Sequence, residues 1–289
     1  MTKPLWLKTR PPAGNKFLEL DNVINEYSLN TVCTGSRCPN IGECWSRGAA
    51  AFMILGTVCT RNCRFCAVKK GRSGDPPDPA EPRRIAEAAR KLGLGYVALT
   101  SVDRDDLPDG GAGHFADCIR EIRSCSNTII EVLVPDFGGD DSCLSKILDA
   151  RPDIAGHNIE TAREFQHPAR DKRAGYALSL KVLRTFKRIS PITYTKSSLM
   201  LGLGETEEMV LRTMADLRSA KVDILALGQY LQPSKKNLEV REYISPSKFA
   251  FYERKAKEMG FIHVAGGPFV RSSYMSDSMI CLLEKDKKA

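Results

Sequence analysis

Six times along the chain a short apolar run bounded by turn residues is followed by a helical pattern, and this alternation limits the fold more than any other feature. The runs at 51–57, 95–100, 128–134, 153–158, 192–201 and 222–228 read as buried strands. Helical stretches follow at 79–92, 114–123, 141–150, 176–188, 205–220 and 247–259, and in the first of them Ile85, Ala88, Ala89 and Leu92 share one face. Repeated strand–helix–strand order implies a parallel sheet with right-handed crossovers, which either stays open or closes toward a barrel. One main domain accounts for 289 residues.

In such a fold the functional groups belong to loops at the carboxyl ends of the strands. The unusual loops of this chain follow strands. The first strand runs into Thr57-Val58-Cys59-Thr60-Arg61-Asn62-Cys63-Arg64-Phe65-Cys66, the second into Thr100-Ser101-Val102-Asp103-Arg104-Asp105-Asp106, and the fourth into His157-Asn158-Ile159-Glu160-Thr161. The fifth leads to Gly202-Leu203-Gly204-Glu205-Thr206, a fragment of a phosphate-loop pattern whose turn into a helix can receive an anionic group. The sixth ends in Gly228-Gln229-Tyr230. Asp105, Asp106 and Asp109 read as cap and turn residues. His114, His157, His167 and His263 have no mutual spacing that suggests a metal site and read as structural or surface groups.

Six of the ten cysteines fall in two groups, Cys33-x4-Cys38-x5-Cys44 and Cys59-x3-Cys63-x2-Cys66. Structural zinc takes four ligands, commonly in C-x2-C pairs, whereas each group offers three thiols and no nearby histidine. Three thiolates on a cubic iron–sulfur cluster leave one iron for another ligand. The competing reading, buried thiols or disulfides, fits poorly with the polar, basic second group. Arg61, Arg64, Lys69 and Lys70 are expected to favour the thiolate form there. Cys118, Cys125, Cys143 and Cys281 lack cluster spacing and read as core or surface thiols.

About 3.5 cysteines per hundred residues is far below a disulfide scaffold, and the first thirty residues have neither a signal-peptide run nor transit-peptide composition. A reducing, cytoplasmic setting is the expectation. No apolar run approaches the roughly 20 residues of a membrane span, so no membrane association is expected. The net charge of +8 is spread along the chain without an aromatic-rich nucleic-acid motif, so no nucleic-acid partner is expected; an acidic protein or small anion fits as well.

The C-x3-C-x2-C loop after a first strand resembles the radical S-adenosylmethionine enzymes. The preceding cysteine group in the context Cys38-Pro39-Asn40-Ile41-Gly42-Glu43-Cys44-Trp45, with Lys3-Pro4-Leu5-Trp6 ahead of it and Arg271-Ser272-Ser273-Tyr274 near the end, is similar to the lipoyl synthase family over nearly the whole chain. The resemblance implies a partial (β/α)6 TIM-type barrel over 51–265, with an N-terminal extension (1–50) and a C-terminal tail (266–289) covering its open face. It implies two [4Fe–4S] clusters, one held by Cys59, Cys63 and Cys66 and open to S-adenosylmethionine, the other an auxiliary cluster held by Cys33, Cys38 and Cys44 with Ser273 as fourth ligand. Thr100, Ser101, Asn158, Glu160 and Lys196, at or near strand ends that face the cysteine loop, are the candidate cofactor contacts, with Phe65 inside that loop to pack near the adenine, and Arg271 would position Ser273 or the substrate.

The implied reaction inserts two sulfur atoms, at C6 and C8 of a protein-bound octanoyl-lysine, with two S-adenosylmethionine used per product and both sulfurs drawn from the auxiliary cluster. General acid–base catalysis does not reach an unactivated C–H bond near neutral pH, so radical chemistry is needed. The implied partners are octanoylated lipoyl-carrier domains (2-oxoacid dehydrogenase E2 subunits, glycine cleavage H protein), an electron donor such as flavodoxin or ferredoxin, and an iron–sulfur cluster carrier. Two rivals remain: a radical sulfur-inserting enzyme acting on a small molecule, and a non-catalytic metal-cluster interaction protein.

Overall fold

The computed structural model describes residues 2–8, 14–36, 38–47 and 49–274. Seven strands form one parallel sheet: β1 (Ala49–Ile54), β4 (Tyr96–Ser101), β5 (Ile129–Leu133), β6 (Ile154–Gly156), β7 (Tyr194–Leu201), β8 (Ile224–Gln229) and β9 (His263–Gly267). Spatial order follows chain order, and β1 and β9 are edge strands with no ladder between them, so the barrel is incomplete. A two-stranded parallel clasp, β2 (Val58–Cys59) with β3 (Lys69–Lys70), sits beyond β1.

The crossover helices are α4 (Glu81–Lys91), α5 (Ala112–Cys125), α6 (Asp141–Asp149), α8 (Tyr176–Ile189), α9 (Glu207–Ser219) and α10 (Pro246–Glu258), with the short α7 (Gln166–Ala169) between β6 and α8. Their starts follow local chemistry. The side chains of Asp140, Thr206 and Ser245 accept N–H groups of the first turns of α6, α9 and α10, satisfying donors that have no partner within the helix. Ile85, Ala86, Ala88 and Ala89 are the buried face of α4. The six strand–helix units stand where the sequence pattern puts them, but the sheet has a seventh strand. Its sequence, His-Val-Ala-Gly-Gly, carries little strand propensity and buries only Val264, so no local signal marks it.

Ahead of the barrel, α2 (Val32–Gly35) and α3 (Ile41–Ser46) pack on β1, and α1 (Asn15–Glu26) packs on α3. Thr31 bridges antiparallel to Phe52, and Asn30 O accepts the Met53 N–H at 2.8 Å, so this segment occupies the free edge of β1. Fully buried Trp45, stacked on Phe17 with centroids 5.0 Å apart, joins the segment to the core. An aromatic pair of this kind contributes about 0.5–1.5 kcal/mol beyond its area.

On the other side of the opening, the chain beyond β9 returns to meet it. Asn40 Nδ2 donates to Phe269 O, and Val270 O lies where a Cβ on Gly228 would be, at 2.2 Å. Only glycine in β8 allows that approach. The N-terminal segment and the tail thus close the gap between the two edge strands. Among the described residues no helix is long and apolar enough to cross a membrane.

Candidate active site at the carboxyl ends of the strands

The chain leaves β1 through Leu55 and Gly56, both at positive φ, and enters the cysteine loop at β2. Gly71 N–H to Cys59 O (3.0 Å) closes the clasp, and Cys66 N–H to Cys63 O (3.2 Å) tightens the turn. Two neighbouring loops grip its outside. Arg64 N–H reaches Ala169 O at 2.8 Å, and Asn237 Nδ2 donates to Arg64 O (3.0 Å) and Cys66 O (3.1 Å). Cys59 is buried, whereas Cys63 and Cys66 are half-buried. The Arg61 N–H points at Cys59 Sγ and the Asp171 N–H at Cys63 Sγ, each at 3.4 Å. Such donors to ligand sulfurs are one means by which a protein sets a cluster's potential.

Arg61 fixes this loop to its neighbours. Its buried guanidinium meets Asp105 (2.9 Å), Asp136 (2.7 Å) and Asp103 (3.4 Å). Burial alone raises the Asp105 and Asp136 carboxyls, yet Arg61 holds both below the usual carboxylate range. Asp105 also accepts from Thr60 Oγ1 at 2.7 Å and pairs with Arg173 at 3.1 Å. It therefore anchors the cysteine loop and is not a cap, whereas Asp109 does cap, accepting the Gly111 and Gly113 N–H groups, and Asp106 pairs with Arg104.

The expected help of basic neighbours to the thiolates is also corrected. Burial pushes the Cys59 and Cys63 thiols up to about 11, with Asp103 adding to both. Arg61 is committed to carboxylates, and Lys70 eases Cys59 only slightly. A metal must displace protons here.

In the other cysteine group, Cys33 lies on α2, Cys44 on α3 and Cys38 in the connection between them. Cys38 N–H donates to Cys33 O at 2.9 Å, and Cys44 N–H to Asn40 O at 2.9 Å. Burial, then the mutual repulsion of the three sulfurs, pushes the Cys44 thiol up to about 12, and burial raises Cys33. The tail motif lies against this group. Arg271 is half-buried and feels Cys38, its Nη1 donates to Val270 O at 2.7 Å, and Tyr274 OH donates to Glu43 Oε1 at 3.2 Å. Ser272 and Ser273 are half-buried in the turn between them. Arg37, Met275-Ser276-Asp277 and Cys281 lie outside the described residues.

Among the described residues no three His, Cys, Asp or Glu side chains converge on a point that would hold one metal ion.

Thr100 is buried on β4, and Ser101 Oγ at the strand's carboxyl end is buried with no hydrogen-bond partner. Asn158 Nδ2 donates to Glu160 Oε1 at 3.1 Å. Glu160 stands at φ +66°, held there by its N–H to Ser198 O and by Met200 N–H to its own carbonyl. Strain of this kind is retained where surrounding structure over-determines it. Burial raises the Glu160 carboxyl. An orphaned hydroxyl, a strained carboxylate and an amide suit the ribose and amino acid parts of a nucleoside-linked cofactor. Phe65 is half-buried inside the loop.

Lys196 departs from expectation. It is the third residue of β7 rather than its end, and its Nζ is buried against Glu131 Oε2 at 2.6 Å, with Tyr96 OH on the same carboxylate. Gly202 and Gly204 do enter a turn before a helix, but the anion received is the chain's own Glu205, which takes the Gly202 and Leu203 N–H groups. His157 is structural: Nδ1 contacts Val134 O and Nε2 Ser179 Oγ, both at 2.9 Å, and burial lowers it to about 4. Asp136 and Asp171 carry no sequence signal of their own. Asp136 follows the third strand, whose loop holds nothing unusual in composition, and Asp171 reaches Asn62 N–H (2.8 Å) from 109 residues away.

The model of the radical SAM superfamily matches residues 53–217. The lipoyl synthase of Natronomonas pharaonis is 50% identical over 291 residues, covering 98% of this chain and 94% of that one. That of Thermus thermophilus is 51% identical over 276 residues (95% and 85%), and the mitochondrial lipoyl synthase of Danio rerio 49% over 292 (98% and 73%). Among solved structures, methylornithine synthase (PylB) superposes with a TM-score of 0.58 at 13% identity, over 94% of this chain and 95% of that one. SuiB of Streptococcus suis bound to S-adenosylmethionine gives 0.55 at 10%, over 76% and 49%, and these two likenesses speak for the fold alone. With half of its residues identical to these relatives over almost its full length, and with the cysteine loop set at the carboxyl end of β1 within the matched region, the chain belongs to the lipoyl synthase family of the radical SAM superfamily.

Proposed function

We propose that the chain inserts sulfur at C6 and C8 of an octanoyl group carried on a lysine of a lipoyl-carrier protein. The observation that carries this reading is the pair of cysteine triads on separate supports, one on a barrel loop and one where the N-terminal segment meets the tail. Cys59, Cys63 and Cys66 would hold a [4Fe–4S] cluster open to S-adenosylmethionine. Cys33, Cys38 and Cys44 would hold a second, with Ser273 as its oxygen ligand, a weaker match to iron–sulfur chemistry than a thiolate. When bound, these groups supply hydrogen removal from unactivated carbon and the sulfur atoms themselves.

The chain's own residues do the rest. Thr100, Ser101, Asn158 and Glu160 would bind and orient the cofactor, with Phe65 against its base. Lys196 is left to the barrel interior, where its bond to Glu131 keeps a buried carboxylate compensated. The Cys33–Cys44 segment and the tail close the seam, and a closed site excludes water from reactive species. Domain roles follow: 1–50 and the tail from 266 would build the auxiliary site, and 51–265 the radical site; 275–289 lie outside the described residues. The reading names octanoylated E2 domains and H protein as substrates, with a cluster carrier to restore what is consumed.

The test is an anaerobic assay of reconstituted protein with an octanoyl-lysine peptide and S-adenosylmethionine, read by mass spectrometry. About eight irons per chain and a product with two added sulfurs are expected. Cofactor cleavage with no sulfur added to the peptide, at full iron loading, would contradict the proposal.

A further inference from the structure

Before the chain reaches the barrel cysteines it makes a turn that strains the backbone. Strand β1 ends at Ile54, and Leu55 and Gly56 then stand at φ +67° and +86°. Glycine takes such a φ freely, whereas a leucine holds it only where its surroundings over-determine it. Leu55 is held on three sides. Its N–H donates to Glu81 Oε2 at 3.0 Å, and its carbonyl accepts from Arg104 Nη1 at 3.1 Å. Its side chain fills the space over Gly111, where a Cβ would meet Leu55 Cδ1 at 2.3 Å. Leu55, Glu81 and Arg104 are all buried.

The three holds come from different parts of the fold. Glu81 is the first residue of α4, and the oxygen that takes the Leu55 N–H also meets Nε2 of His114, on α5, at 2.6 Å. Burying the Glu81 carboxylate is costly without a partner; His114 supplies one, so the acceptor can stand at the Leu55 amide. Gly111 stands at the start of α5. Arg104 belongs to the loop after β4 and is fixed by Asp106 at 2.8 Å. Its neighbours Asp103 and Asp105 hold Thr60 and Arg61, so one loop grips both the root of the cysteine segment and its first residues. Only Gly56 and Thr57 separate Leu55 from β2, which ends in Cys59, and Cys59 packs with Met53 of β1 and Val102 just after β4. The turn at Leu55 therefore sets where Cys59 stands.

We propose that Glu81, supported by His114, is a positioning residue for hydrogen removal: by holding the strained turn at Leu55 it fixes Cys59, and the group that Cys59 would bind, relative to the substrate carbon. The inference rests on the cluster assignment of the preceding reading and adds a residue that acts through Leu55 rather than by contact with the reacting groups.

Misplacing reacting groups by about 1 Å can slow a step by about 100-fold. A radical formed out of position is lost without sulfur insertion, so the quantity to measure is the ratio of 5′-deoxyadenosine formed to sulfur inserted. At equal iron loading that ratio does not depend on how much of the protein is folded. In reconstituted holoprotein Glu81→Ala is expected to raise it by about tenfold. Glu81→Gln, whose amide oxygen can still accept the Leu55 N–H, should return it close to the wild-type value. In metal-free protein the Leu55 amide should exchange about tenfold faster in Glu81→Ala, as for loss of one hydrogen bond, with the β4 amides unchanged. An unchanged ratio in Glu81→Ala beside a normal wild-type reaction would overturn this inference alone, as would equal ratios in the alanine and glutamine variants. Wild-type protein that loads iron at both sites yet forms no 5′-deoxyadenosine would overturn the preceding reading with it. If the alanine variant does not fold, the wild type still decides: a Leu55 amide that exchanges as fast as an exposed loop would overturn the hold on this turn.

Discussion

The two cysteine groups are built in different ways. The 59–66 loop is held by the barrel: a strand clasp closes it, two loops grip its backbone, and a buried arginine ties it to β4 and β5 loops through three carboxylates. The 33–44 group sits on helices of four and six residues against an edge strand, and its outer side is completed by a tail from the far end of the chain. A site that must turn over unchanged profits from the first construction. A site whose contents are proposed to be consumed profits from the second, because short helices open at lower cost than a barrel loop.

The largest expected effect separates the two sites outright. Alanine at Cys59, Cys63 and Cys66 should leave about half the iron and no formation of 5′-deoxyadenosine; undiminished formation would remove this loop from the cofactor chemistry. Arg61→Met comes next. It leaves Asp105 and Asp136 without their cation, and breaking a buried pair from one side costs about 3–5 kcal/mol. Denaturant unfolding should show that loss, and iron should be lost from the barrel site before the N-terminal one. If both sites lose iron at equal rates, the contrast drawn here fails.

Gly228→Ala is the converse perturbation. Its methyl would meet Val270 O at 2.2 Å, so the tail must shift, at about 1–3 kcal/mol for an overpacked site. Sulfur insertion should fall while 5′-deoxyadenosine still forms, measured in the same reaction. The smallest effect is on pH. Thiols raised to about 11 and about 12 are protonated at neutral pH in the metal-free protein, so iron loading releases protons and should grow more favourable with rising pH. Because these folded-state values lie above those of the unfolded chain, their contribution to the metal-free fold is complete below about pH 8.5 and is lost as pH rises toward 11–12. Thermal unfolding of metal-free protein across pH 7–10 should show falling stability; a rise with pH would contradict the burial of these thiols.

Much of this was readable in advance, for identifiable reasons. Periodicity exposes strands with long apolar runs, such as β4, and helices with an apolar face, such as α4. It misses β9, where two glycines replace the branched residues that mark a strand. The cysteines were legible because metal ligation imposes spacing. Arg61 looks like a helper of thiolates in the sequence, which shows its neighbours in the chain and not Asp105 and Asp136, 44 and 75 residues away. Lys196 was misplaced along its strand for a related reason: only the ladder register and Glu131 on another strand reveal that it points into the interior.

The most direct test of the division of labour is to replace Cys33, Cys38 and Cys44 together by alanine and measure 5′-deoxyadenosine and sulfur incorporation in one anaerobic reaction. Continued 5′-deoxyadenosine formation with no carbon–sulfur bond is the predicted result, and a lipoyl product at the normal level would contradict the account.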